Sequence, residues 1–254
     1  MGIKIEKDYP VFTIILDNPK TKNAVDKETA HELTDAFKKF ESNEDALVAV
    51  LWGANGTFCA GADLKAIGTD RQNDITEKGD GPMGPTRMKL SKPVIAAIAG
   101  YAVAGGLELA CWCDLRVVEK SAILGVFCRR FGVPLIDGGT VRLPRLIGLS
   151  RAMDMILTGK PVSAQKAYKW GLANRIVEDG TSKKKAEALA KTISNFPQIC
   201  MRNDRASVYE QFGMNIEKAM KNEFKFGLDT LNSKEYLQGS MEFQQGKGKH
   251  GKFS

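Results

Sequence analysis

A chain of 254 residues, 43% of them hydrophobic, is long enough to bury a substantial core in one catalytic body, with or without an appendage. Five cysteines with no CxxC pair, only two histidines, and no apolar run near the roughly 20 residues of a membrane span argue against a disulfide scaffold, a metal centre and membrane insertion. The net charge of +7 leaves two readings open: a basic surface for nucleic acid, or attraction of a polyanionic small molecule such as a nucleotide-bearing cofactor.

Residues 3–7 alternate apolar and charged side chains like a strand, unlike the apolar core of a secretion signal, so the expected location is cytoplasmic. With residues 11–16 and a turn at Asp8-Tyr9-Pro10 they predict a hairpin. Reduced, mostly buried thiols are expected at Cys59, Cys111, Cys113, Cys128 and Cys200. Asp26 can cap a helix whose apolar Ala30, Leu33, Phe37 and Phe40 share a face, with His31 on the polar side. Apolar strands at 46–52 and 93–99 feed two glycine-rich turns, Gly56-Thr57-Phe58-Cys59-Ala60-Gly61-Ala62-Asp63-Leu64 and Gly100-Tyr101-Ala102-Val103-Ala104-Gly105-Gly106-Leu107-Glu108, each expected to lead into a helix. Between them, residues 68–89 are rich in Gly, Asp and Pro and read as a mobile surface loop, from which Met83, Arg87 and Met88 are candidates to line a site. A third strand pair is expected at 115–118 and 123–126, followed by residues 129–145.

From Ser163 onward the signals are mainly helical, amphipathic over 186–193, with a break at Phe196-Pro197 and a helix-rich stretch beyond whose aromatics and methionines need a partner surface. The predicted division is therefore a core of residues 1–196 and a helical region of residues 197–254. The recurrence of strand, turn and helix suggests stacked turns of a spiral, and neither GxGxxG after the first strand nor GxxxxGK[ST] is present. Much of the positive charge lies in Lys183-Lys184-Lys185 and in Lys247, Lys249, His250 and Lys252, runs that read as solvated helix faces or mobile ends.

Small residues at both turns let backbone N–H groups approach a ligand oxygen, and a following helix adds its positive N-terminal end. The turns therefore read as two halves of an oxyanion hole, fit to hold a carbonyl that becomes an enolate. Glu108 lies one helical turn beyond Gly105, next to where that charge would develop.

Several motifs, weak singly, occur in a telling order: Asn18-Pro19-Lys20-Thr21-Lys22-Asn23-Ala24, Ala60-Gly61-Ala62-Asp63-Leu64, Lys92-Pro93-Val94-Ile95-Ala96-Ala97 leading to Gly105-Gly106-Leu107-Glu108-Leu109-Ala110, and Gly138-Gly139-Thr140 before Leu143-Pro144-Arg145. In these the sequence resembles the crotonase superfamily, the enoyl-CoA hydratases and isomerases, over nearly its whole length. The resemblance implies an α/β fold, a crotonase-like spiral of repeated strand-strand-helix units with a helical C-terminal region, assembled as a homotrimer or hexamer. It implies an acyl-CoA thioester substrate and no separate cofactor, coenzyme A being part of the substrate. By matching positions, the N–H groups of Ala62 and Gly105 would form the oxyanion hole, and Lys22, Ala24, Ala60, Ala62, Asp63, Leu64, Lys65, Gly105 and Gly106 would contact coenzyme A or the acyl group; Asp63 as a helix cap and Lys22 and Lys65 as plain surface lysines are the alternatives.

Hydratases of this family pair two glutamates, one donating a proton while the other activates water. Glu108 matches the first, and Cys128 stands at the position of the second. A thiol, with a reference pKa of about 8.5 and no pair of acceptor oxygens, is a poor general base for water. Asp137 falls near a pocket position where some members carry a catalytic aspartate, so it is either a substitute acid or base or a turn cap. The leading expectation is hydration of a 2-enoyl-CoA to the 3-hydroxyacyl-CoA in fatty-acid β-oxidation. The alternatives are isomerisation or decarboxylation, which need no activated water, and a non-catalytic relative holding coenzyme A thioesters or, through residues 183–191, RNA.

Overall fold

In the computed structural model, which describes residues 2–248, strands β1 (Gly2–Asp8) and β2 (Val11–Asp17) form the expected antiparallel hairpin. Residues 11–16 of β2 are all buried, as a strand covered on both faces requires. Helix α1 (Lys27–Ser42) starts where Asp26 accepts the Thr29 N–H at 3.1 Å, and buries Ala30, Leu33, Phe37 and Phe40 while His31 stays outside and meets Asp74. Strands β3 (Val48–Gly53) and β4 (Val94–Ile98) continue the sheet in parallel.

Beyond them the chain runs through β5 (Tyr101–Val103), α2 (Gly105–Trp112), β6 (Leu115–Glu119), β7 (Ile123–Gly125), α3 (Gly139–Ile147), α4 (Leu149–Thr158), β8 (Val162–Ser163), α5 (Ala164–Trp170), β9 (Arg175–Val177) and α6 (Ser182–Ser194). One sheet has the order β1-β2-β3-β4-β6-β9 and a smaller one β5-β7-β8. The spiral follows from this alternation: β4 enters the large sheet and β5 the small one, then β6 and β7 repeat the step. The segments at 115–118 and 123–126 are therefore not a pair, since each bonds to a strand of the preceding repeat, β6 to β4 and β7 to β5.

Three further expectations change. The first glycine-rich turn leads into successive turns rather than a helix, because Asp63 spends its carboxylate on the Lys65 N–H and on Arg71, and Gly68, at φ +77°, halts the chain within one turn. The 68–89 segment is not surface throughout: Asn73, Met83, Pro85 and Thr86 are buried. Strand β9, only three residues long, interrupts the stretch read as helical and is too short to show alternation.

The chain divides into two compact units between Lys191 and Thr192, inside α6. The second contains α7 (Gln198–Glu210), α8 (Ile216–Asn232) and α9 (Glu235–Gln244), and Ser207 is the only buried residue among its described ones. Lys249, His250 and Lys252 lie outside the described residues. No helix among the described residues is long and apolar enough to cross a membrane.

Candidate active site

Backbone ladders bring the two glycine-rich turns together. Cys59 donates its N–H to Tyr101 O at 2.9 Å and accepts the Val103 N–H at 3.1 Å, which lays the first turn alongside β5. Gly61 sits at φ +96°, and a Cβ there would come within 2.8 Å of Ala104 Cβ and 3.0 Å of Gly105 N, so only glycine permits this approach. Ala104 holds the strained left-handed φ of +53° and starts α2. The Ala62 and Gly105 N–H groups make no backbone hydrogen bond among the described residues. Both are therefore open to an outside acceptor, and α2 adds its positive end on the Gly105 side alone, the first turn lacking a helix.

Residues 22–25 run beside residues 60–63. Ala60 N–H bonds Lys22 O at 3.2 Å, Val25 N–H bonds Gly61 O at 2.8 Å, and Asp63 N–H bonds Val25 O at 3.0 Å. Asn23 pins this segment: its Nδ2 donates to Ala54 O at 3.0 Å and Thr57 O at 2.6 Å, and its Oδ1 accepts the Asn18 N–H at 2.8 Å. Lys22, Ala24, Ala60, Ala62, Asp63, Leu64 and Lys65 are thereby neighbours, with Leu64 and Lys65 exposed and Lys22 Nζ 5.9 Å from the Tyr101 ring. Asp63 is largely committed: Oδ1 accepts the Lys65 N–H and Oδ2 pairs with Arg71 Nη2 at 2.6 Å.

Glu108, 2% exposed on α2, accepts the Asp137 N–H at 2.9 Å and the Gly139 N–H at 2.7 Å, both at Oε1. Oε2 is left for a substrate or water. Burial pushes the Glu108 carboxyl up to about 7, against the pull of the Gly139 N–H. A Cβ on Gly139 would stand 2.9 Å from Glu108 Oε1 and push the carboxylate aside. Gly106 is held more strictly, its Cβ falling 2.2 Å from the backbone oxygen of Cys59. Met83 packs on the Gly105 side, where a Cβ would meet its Sδ at 2.7 Å.

Cys128 is buried in a 3-10 turn (Phe127–Phe131), and burial first, then the Glu108 charge, raises its thiol pKa. An ionised thiolate is disfavoured beside Glu108. Asp137 is largely buried, and its Oδ1 accepts the Met83 N–H at 2.9 Å and the Thr86 hydroxyl. Burial raises the Asp137 pKa, while these two donors pull it down.

The comparison with known proteins decides what this arrangement belongs to. Residues 6–250 match the family model described as enoyl-CoA hydratase/isomerase. The chain belongs to the enoyl-CoA hydratase/isomerase family. It is 34% identical over 241 residues to carnitinyl-CoA dehydratase of Proteus mirabilis (strain HI4320), covering 92% of each chain. It is 31% identical over 248 residues to enoyl-CoA hydratase EchA19 of Mycobacterium tuberculosis, covering 95% of this chain and 92% of the relative. Crystal structures of an enoyl-CoA hydratase from Mycobacterium tuberculosis H37Rv and of EchA1 from Mycobacterium marinum both superimpose with a TM-score of 0.91, at 31% and 30% identity, each over 96% of both chains. The fold is that of the crotonase superfamily.

In this family member, sequence reasoning missed three residues that shape the site. Asn23 carries a signal, being an asparagine in a Lys-Asn-Ala turn, at φ +57°. Thr86 and Arg142 carry none: Thr86 meets Asp137 across 51 residues, and Arg142 donates to Asp137 O at 2.9 Å and to Thr86 O at 2.6 Å. The lysine run is not a bare basic face, because Lys183 pairs with Glu6 and Glu187, and Lys191 with Asp8.

Proposed function

We propose that this protein adds water to 2-enoyl-CoA thioesters, with Glu108 as its acid–base residue. One observation carries the reading: a buried carboxyl with a pKa of about 7, anchored by two N–H groups at Oε1, stands one helical turn from the Gly105 amide. Such a group is poised both to take and to return a proton near neutrality. Water attacks the β-carbon and gives its proton to Glu108 Oε2, the thioester oxygen collects the enolate charge at Ala62 and Gly105 N–H, and Glu108 returns that proton to the α-carbon. Each oxyanion donor contributes on the order of 3 kcal/mol to such a step. The cycle balances with one carboxylate, needs no separate cofactor, and run backwards is a dehydration, in keeping with the relatives named hydratase and dehydratase.

Coenzyme A would lie along Lys22, Ala24 and residues 60–65. Double-bond isomerisation is the second reading, favoured by Cys128: a thiol kept protonated beside Glu108 supplies no second base for water, and moving a double bond needs only one proton relay. The helical unit would serve self-association through the exposed Ile216, Met220 and Phe224 of α8.

The deciding experiment follows loss of the conjugated enoyl absorbance of crotonyl-CoA, with Glu108→Gln as control. Turnover that falls by on the order of a hundredfold or more in the mutant supports hydration by Glu108. Unchanged turnover in the mutant removes Glu108 from the chemistry, and conversion of a 3-enoyl-CoA without hydration of crotonyl-CoA selects isomerisation.

A further inference from the structure

The N–H, the carbonyl oxygen and the side-chain Oδ1 of Asp137 each reach a different part of the site. Its N–H fixes Glu108 Oε1 at 2.9 Å. Its side-chain Oδ1 takes the Met83 N–H at 2.9 Å and the Thr86 hydroxyl. Its carbonyl oxygen accepts from Arg142 Nη1 at 2.9 Å, and the other end of the same guanidinium closes a ring on Thr86 O at 2.6 Å. The fit is close on the far side too, since a Cβ on Gly81 would fall 2.2 Å from Thr86 Oγ1 and 3.3 Å from Asp137 Oδ1. Asp137 itself is 4% exposed and Thr86 is fully buried.

The segment held in this way has no regular structure beyond a single 3-10 turn at Pro85–Arg87, so side-chain bonds add to the few turn bonds of its own backbone, such as Gly84 N–H to Gly81 O and Arg87 N–H to Asp80 O. It nonetheless carries Met83, 1% exposed, whose sulfur presses against the start of α2 where the Gly105 N–H emerges. A side chain at that place borders whatever is attached to the carbonyl whose oxygen the Gly105 N–H binds.

We infer that Asp137 is a positioning residue, not a proton carrier: its carboxylate clamps the 81–87 segment so that Met83 walls the acyl pocket and sets the size of acyl group accepted, while its N–H holds Glu108 in line. The inference rests on the acyl-CoA reading above, and it concerns binding as well as turnover. Two donors converging on Oδ1 are what a fixed acceptor needs. An asparagine in the same place offers the same carbonyl acceptor and loses the ability to exchange a proton, together with the charge that helps raise the Glu108 pKa.

The test measures dissociation constants for butanoyl-CoA and octanoyl-CoA, saturated and so inert to hydration or isomerisation, together with the pH–rate profile on crotonyl-CoA. The variants are Asp137→Asn, Asp137→Ala, Thr86→Val and Met83→Ala. Met83→Ala is expected to shift the octanoyl to butanoyl preference towards the longer chain by about tenfold, the low end of what one methylene is worth in an apolar pocket. Asp137→Ala and Thr86→Val should shift it in the same direction, and Asp137→Asn should keep the wild-type ratio, a kcat within about threefold on the plateau and the same number of pH limbs, the Glu108 limb moving to lower pH as the neighbouring charge is lost. Should Asp137→Ala fail to fold, Thr86→Val and Asp137→Asn decide alone. The inference is overturned if Asp137→Asn loses turnover as severely as Glu108→Gln or removes a limb of the pH profile, or if Thr86→Val leaves the ratio unchanged while Met83→Ala moves it. A shift in the binding ratio in a protein that turns over no crotonyl-CoA retires the hydratase reading and leaves the clamp standing. Failure of the wild type to bind either thioester overturns both.

Discussion

Glu108 suits the acid–base role proposed for it because the fold makes its charge unwelcome. Removed from water and placed near Asp137, it binds its proton more tightly than an exposed glutamate does, while two N–H groups limit the effect. The base form is the one that takes a proton from water, so kcat/KM for hydration should fall as pH drops through about 7, with a slope of one proton. A pH–rate profile on crotonyl-CoA checks this, and a limb near the ordinary glutamate range would contradict it. Stability carries the same signature with the opposite benefit. A carboxyl whose folded pKa lies above its unfolded value of 4.5 favours folding fully below about 4.5, and that contribution is lost as pH rises to about 7. Glu108→Gln, which keeps an acceptor for Asp137 and Gly139, should therefore unfold at higher urea than wild type at pH 8, by up to roughly 3 kcal/mol, and nearly together with it at pH 4. Equal midpoints at both values would mean that Glu108 is not strained by its site.

Helix α2 holds the Gly105 amide at one end and is closed by a buried arginine at the other. Arg116 donates to Ala110 O at 3.1 Å, Cys113 O at 2.7 Å, Asp114 O at 3.2 Å and Leu172 O at 2.6 Å, and to Asn174 Oδ1 at 3.4 Å. The carbonyls of Ala110, Cys113 and Asp114 are ones that the end of α2 leaves unpaired, and Leu172 and Asn174 tie that end to the segment between α5 and β9. Arg116→Met should destabilise the fold by about 3 kcal/mol or more, since several buried acceptors lose a charged donor at once, and urea unfolding measures it. At this scale the sequence was legible wherever the signal was local: the Asp26 cap with its Ala30-Leu33-Phe37-Phe40 face, the β1–β2 hairpin, and Gly105 with Glu108 one turn on. It was not legible where two elements compete. Asp63 looks like a helix cap, and its carboxylate does bond an N–H ahead of it, but Gly68 ends the chain's turn too soon for a helix to repay its nucleation. The Met83, Thr86 and Asp137 cluster joins residues 51 and 54 positions apart through single bonds, and no periodicity marks it.

Across the whole molecule, the family motifs made the spiral legible, yet the parting of β6 and β7 into separate sheets depends on pairings between repeats that neither strand encodes alone. The second unit shows a different economy. Ile216, Met220 and Phe224 of α8 are 79%, 56% and 67% exposed, spaced four residues apart on one stripe. If that stripe meets a second copy, Phe224→Glu should shift the protein towards monomer in sedimentation or light scattering while leaving the melting of the first unit in place; an unchanged mass would exclude α8 from the contact. The ladder joining Cys59 to Tyr101 and Val103 has a reach beyond binding. It is made of main-chain atoms only, so the pair of amides proposed to hold the thioester oxygen is indifferent to most substitutions around it, and residues 83, 128 and 137 can be exchanged as a set without redrawing that ladder. One added carbon at Gly106, driven against Cys59 O, would undo what many changes of side chain elsewhere would not. New reactions can therefore be sought in this protein by varying those three positions, with the anion pocket inherited rather than redesigned.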